Sequence, residues 1–185
     1  MVSNEIIIAQ TIKWITDVVV GCNFCPFVAK ELKRGSIHYE VIPSKERKAV
    51  LEALAQAFNK LDVDKKIETT LLILPAGFNV FSNYLQLVEL SESFLEKEGY
   101  EGIYQVASFH PDYLFANASD DDPANYTNRS PYPMLHLLRE ESLSRAIDNY
   151  PGTEIIPQKN IDYSNAKGLA YMQSLSQACM VEAHK

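Results

Sequence analysis

Cysteine is scarce in this chain. There are three among 185 residues, an odd number that excludes the paired framework of a small secreted disulfide protein. Long apolar runs are missing too. The longest, Val18–Gly21 and Leu71–Pro75, fall far short of the ~20 apolar residues that cross a bilayer, so no membrane partner is expected. The first residues, Met1-Val2-Ser3-Asn4-Glu5, lack the basic start and small-residue cleavage site of a signal peptide. The expected compartment is therefore the cytoplasm, and the sequons at Asn117, Asn125 and Asn128 are expected to stay unmodified. Positive charge is in short supply, with 17 Lys and Arg against 24 Asp and Glu and a net charge of −7. Residues 1–95 hold 10 basic and 11 acidic groups, and residues 96–185 hold 7 and 13. The basic groups Lys30, Lys33, Arg34 and Lys45, Arg47, Lys48 are interleaved with Glu31, Glu40 and Glu46. That pattern is a solvated face, not the concentrated cationic surface that displaces counterions from phosphates, so no nucleic-acid partner is expected. No Walker loop, G-x-G-x-x-G, G-x-S-x-G or H-E-x-x-H motif occurs, which removes nucleotide binding and zinc chemistry by the common motifs.

What is present is ordinary globular composition, 46% hydrophobic and 22% charged, in a length that fits one domain spanning residues 1–185. Ile8, Ile12, Ile15 and Val19 recur at helical spacing, predicting a helix over 4–20 that stops at Gly21. A second short helix is expected from Pro26 to about Arg34. Residues 38–42 alternate like a half-buried strand. A helix opening near Ser44 carries Val50, Leu54, Phe58 and Leu61. The continuous run Thr69–Leu74 suits a strand buried on both faces. Phe81 to Leu95 repeats with helical spacing, and Ile103–Phe109 reads as a third strand. Strands alternating with helices predict an α/β fold, a small parallel or mixed sheet of at least three strands with crossover helices. From Pro111 to Pro133 the periodicity vanishes in a polar, aromatic-bearing stretch, a loop of a length that is usually functional. A helix is expected from Met134 through Ile147 and a last one over 164–183.

The candidate chemistry gathers around that loop. His110 follows the third strand, where open α/β sheets bind ligands, and its titration range suits proton transfer. On a helix, His136, Arg139 and Glu140 would share one side, setting an imidazole beside a guanidinium. Arg129, flanked by Asn125, Thr127, Asn128 and Ser130, offers a fork for carboxylate or phosphate. The alternative for Arg129 is a loop-pinning ion pair with Asp120, Asp121 or Asp122. A metal set of His110, Asp112, His136 and Glu140 is a further possibility. The triple aspartate lacks the pattern of a calcium loop and suits turn or helix capping better. In Cys22-Asn23-Phe24-Cys25-Pro26, a thiol just before a helix start is expected to have its pKa lowered, which makes Cys25 a candidate nucleophile with His110 or His136. A zinc site joining these cysteines to Cys179 and His184 is disfavoured by the separation of the pairs.

These boxes resemble the bacterial family catalogued as domain of unknown function 1415. The resemblance rests on Trp14 with Gly21 to Phe27, on Thr69 to Ile73 with Pro75, on Ala107-Ser108-Phe109-His110-Pro111, and on the long box from Asp121 through Asn125–Pro133 to His136–Glu140. It covers the chain from Trp14 to about Ile161. This chain departs from the family at Cys22, where the family carries an aliphatic residue, so Cys25 is the cysteine the resemblance supports. The family implies no reaction. The leading expectation is a hydrolase or transferase on a small anionic substrate. His110 and His136 would act as acid and base, Cys25 would be a further catalytic candidate, and Arg129 and Arg139 would hold the anion. The alternatives are a non-catalytic module binding an anion or a partner, and a metal-dependent hydrolase. No motif names a cofactor or an oligomeric state.

Overall fold

The computed structural model describes residues 2–180. Its centre is a four-stranded mixed sheet in the order β1-β2-β4-β3. Strands β1 (Ile37–Val41) and β2 (Thr69–Ile73) run parallel, joined over one face by helix α3 (Arg47–Val63). Helix α4 (Phe81–Lys97) then crosses the same face to β3 (Tyr104–Phe109). A one-strand gap separates β2 from β3, and β4 (Met134–Arg139) fills it antiparallel to both neighbours.

The expected helix over 134–147 is therefore two elements, β4 and then α5 (Glu140–Asp148). The apolar run Met134-Leu135-His136-Leu137-Leu138 is short, and a short apolar run fits a buried helix or a strand buried on both faces equally well. The slot beside β2 decides for the strand, because it satisfies the backbone of β2, β3 and β4 together. All five residues of β2 are buried, as the unbroken run Thr69–Ile73 implies for a central strand.

Two cores follow from the alternation of side chains along the strands. On one face Leu72, Leu74, Leu135 and Leu137 pack against Leu54, Phe58 and Leu61 of α3 and Tyr84 and Leu87 of α4. On the other, Leu71, Ile73 and Met134 meet Ile7, Trp14, Ile15 and Val18 from the N-terminal helix and Met172 from the last. The expected first helix is α1 (Asn4–Trp14) continued as a π-helical segment, Ile15–Val20. There Gly21 N–H donates to Thr16 O and Phe24 N–H to Val19 O, five residues back. Gly21 is required by space: a Cβ there would stand 2.2 Å from Asp17 O. Helix α2 (Val28–Arg34) follows. The helix expected over 164–183 is instead the last turn of α6 (Ile156–Lys167), which starts eight residues earlier, followed by α7 (Leu169–Ala178). Gly168, at φ +79°, takes a turn that L side chains resist and breaks the run. The part of that prediction over 181–183, and His184, lie outside the described residues.

Candidate functional site

A cavity of about 790 Å³ lies against the sheet face that carries Leu71, Ala107, Phe109, His136 and Leu138. Trp14, Ile15 and Val19 form one wall, from α1 and the π-helical segment, and Phe27, Val28, Leu143 and Ala146 approach from α2 and α5. Neither of those two helices has a fully buried residue, so their apolar sides face the cavity. Lys30, Glu31, Arg34, Glu68 and Arg145 stand around it. Arg34 pairs with Glu31, and Arg145 with Glu141, both at exposed sites. Lys30 makes no ion pair among the described residues.

His136 lies in this wall, in the middle of β4. Its Nε2 is 2.7 Å from the Thr69 hydroxyl oxygen, and that hydroxyl is 2.5 Å from Leu137 O. Burial holds the imidazole pKa down at about 4, so the ring is neutral near pH 7. Cys25 shares the cavity. Burial pushes its thiol up; the N–H groups of Phe27 and Val28 draw it the other way by less. The expected lowering at a helix start is thus reversed by desolvation, which penalises the thiolate more than a short helix stabilises it.

Of the other expected site residues only Arg139 also borders the cavity, and its guanidinium, like His110, Asn125, Arg129 and Ser130, is tied into the scaffold. His136 and Arg139 point to opposite faces, because residues three apart on a strand alternate sides whereas on a helix they share one. The Arg139 guanidinium turns to the α3 face. It donates to the carbonyls of Leu61 at 2.5 Å and Ile67 at 2.9 Å and to the Tyr104 hydroxyl at 3.2 Å. It joins the end of α3 to the start of β2, and the expected His136–Arg139 anion clamp is not formed.

His110 is 0% exposed. Its Nε2–H donates to Phe78 O and its Nδ1 accepts from Asp112 N–H, both at 2.9 Å. Phe81 and Tyr84 flank the ring, and burial lowers its pKa. Both nitrogens are committed to the chain. Around it the 111–133 loop is held by its own polar groups. Asn125, fully buried, accepts from Phe115 N–H and donates to Ser119 O. Ser130 donates to Tyr132 O, the Asn128 side chain meets the Thr127 hydroxyl, and Asp122 caps the turn Pro123–Thr127. Arg129 pins the loop as the simpler alternative required, but through the main-chain carbonyls of Tyr113 and Asp120 rather than a carboxylate, and its guanidinium lies 4.7 Å from the centre of the Tyr126 ring. No residue of this loop lines the cavity. The loop supports the wall from behind: Arg129 O accepts from the Trp14 indole N–H at 3.0 Å, and Tyr126 and Tyr132 pack in the same core as Trp14. The metal set is likewise dispersed: no three His, Cys, Asp or Glu come together among the described residues.

Five contributors escaped the sequence reading. Thr69 fixes the imidazole, and its signal was a hydroxyl opening a run that is otherwise apolar. Trp14, the single tryptophan, builds the wall. Lys30 and Arg34, four apart on α2, border the cavity together with Arg145.

Fold and site together define an α/β domain with a mixed four-stranded sheet and an apolar cavity beside a neutral histidine. Residues 6–174 match the model of the family described as Protein of unknown function (DUF1415), and the chain belongs to that family. No curated protein and no solved structure matches it. No helix among the described residues is long and apolar enough to cross a membrane.

Proposed function

We propose that this protein binds a small molecule with an apolar body and an anionic group in the cavity over the sheet, with His136 as its buried polar contact. The observation that carries this reading is one neutral imidazole set into a largely apolar lining, with Lys30, Arg34 and Arg145 outnumbering Glu31 and Glu68 at the surrounding positions. Ligand sites are commonly apolar clefts of roughly 300–1,000 Å³ with a few placed polar groups. A panel of aryl and alkyl carboxylates of graded length, screened by calorimetry, tests it. Saturable binding is expected, lost in Ala107→Trp, which fills the cavity. Retention of affinity in a folded Ala107→Trp protein, or no binding across the panel, overturns it.

A second reading, hydrolysis or acyl transfer, is favoured by one observation: Cys25 and His136 line the same cavity. Cys25 Sγ would attack the acyl carbon, its proton passing to the imidazole and on to the leaving alcohol or thiol as the acyl–oxygen or acyl–sulfur bond breaks. Water or an acceptor alcohol would then take the acyl group from Sγ, returning a proton to the thiol. Both groups are mistuned for this at rest, one pushed up and one down, which ranks it second. Turnover of thioesters or esters that disappears in Cys25→Ser would raise it to first; saturable binding without turnover removes it.

A further inference from the structure

The protons at His136 can be assigned from geometry. A threonine hydroxyl carries one proton, and a backbone carbonyl can only accept. At 2.5 Å from Leu137 O, the Thr69 hydroxyl donates to it. The contact of 2.7 Å between Thr69 Oγ1 and His136 Nε2 is then a hydrogen bond only if Nε2 bears the proton. The imidazole is thereby held in the Nε2–H tautomer, and Nδ1 is left as a lone pair.

Nδ1 has no hydrogen-bond partner among the described residues. It is not sealed in the interior either: among the described residues the one buried side-chain oxygen or nitrogen without a partner is Thr70 Oγ1, on the opposite sheet face. Nδ1 therefore opens on the cavity that the ring lines. A carboxylate, phosphate or carbonyl placed there would set one acceptor against another and leave both unpaired, at the cost of desolvating them. A hydroxyl or N–H group would complete the chain of donors. The cations Lys30, Arg34 and Arg145 are exposed residues of the lining, which Glu31 and Glu68 share. Arg34 and Arg145 are held by surface pairs with Glu31 and Glu141, and Lys30 makes no ion pair among the described residues.

We infer that the ligand is an apolar-bodied acid carrying a hydroxyl or N–H donor at the end remote from its acid group, the donor resting on His136 Nδ1 and the acid lying among Lys30, Arg34 and Arg145. This rests on the reading of the cavity as a ligand site and adds its polarity. Hydroxyphenylpropanoate and terminal hydroxydecanoate are members of the class; phenylpropanoate and decanoate lack the donor.

Calorimetry on these two matched pairs is the test. Each hydroxy acid should bind at least about ten-fold more tightly than its partner, because a site built to pair a hydroxyl discriminates steeply against its absence. In His136→Phe the preference should vanish while the donor-free acids keep their affinity. Thr69→Val, which releases the tautomer, should reduce the preference as well. Nitrogen NMR of the intact protein gives a readout that needs no variant: the Nδ1 resonance should move on adding a hydroxy acid and stay in place with its partner. Equal binding within each pair overturns the inference and leaves the cavity standing. Absence of binding by all four acids overturns both.

Discussion

Replacing His110 with alanine should destabilise this protein strongly. The ring is wholly buried and makes two hydrogen bonds of 2.9 Å, one in each direction. Removing it leaves the Phe78 carbonyl and the Asp112 N–H without partners, each a loss of about 1–3 kcal/mol if water does not enter. The space between Phe81 and Tyr84, whose ring centres lie 5.1 and 5.0 Å from the imidazole, adds the cost of a cavity in a packed core. Taking the low end for the polar groups, the total is about 4 kcal/mol, a large part of the 5–15 kcal/mol that folded domains possess. At roughly 2–4 °C per kcal/mol for a chain of this size, Tm should fall by about 8–16 °C. Thermal denaturation followed by circular dichroism measures it. A shift under about 2 °C would show that both bonds are dispensable and would return His110 to the list of reactive groups.

Acidification should act through His136. The unfolded imidazole takes up its proton near its ordinary value of 6.5, whereas the native one resists until about 4. Between these values the unfolded state binds more protons, so stability is complete above about pH 6.5 and declines by about 3 kcal/mol as pH falls toward 4. The His136→Gln variant should lack that share of the decline, and parallel curves in urea titrations at each pH would refute it. Arg139→Met should shift the urea midpoint by about 3 kcal/mol of stability, since a charged fork on buried carbonyls is lost, while cavity affinity stays unchanged; loss of affinity with intact stability would restore the anion-clamp role. Gly21→Ala should cost more than about 2 kcal/mol, because the added Cβ collides with a backbone oxygen that cannot move without unwinding the π-helical turn. An unchanged Tm would contradict that geometry.

The alternation of β1, the doubly apolar run of β2 and the amphipathic faces of α3 and α4 were legible because each is a local period matched to one or two buried faces. So was the class of fold. The stretch 134–139 was not: its neighbours in the sheet lie far away in the chain, Thr69–Ile73 on one side and Tyr104–Phe109 on the other. Mistaking a strand for a helix there had chemical consequences. It put His136, Arg139 and Glu140 on one side, where the sheet sends His136 to the cavity and Arg139 to α3. The polar loop was read as ordered, and its amides and hydroxyls bond to the loop's own backbone; in a sequence such groups look the same as those that bind a ligand.

Composition and periodicity by themselves determined an α/β protein with its unpatterned polar residues concentrated after the third strand. Tertiary structure alone decided which of those groups remain free to act. His110, Arg129, Arg139 and Asn125 are spent on carbonyls and N–H groups that burial would otherwise leave unpaired. His136 keeps one nitrogen open, because Thr69, brought beside it by the β2–β4 pairing, occupies only the other. Whether a polar side chain is a scaffold or a site depends on how many of its hydrogen bonds the fold itself consumes, and that count exists only once distant strands have met.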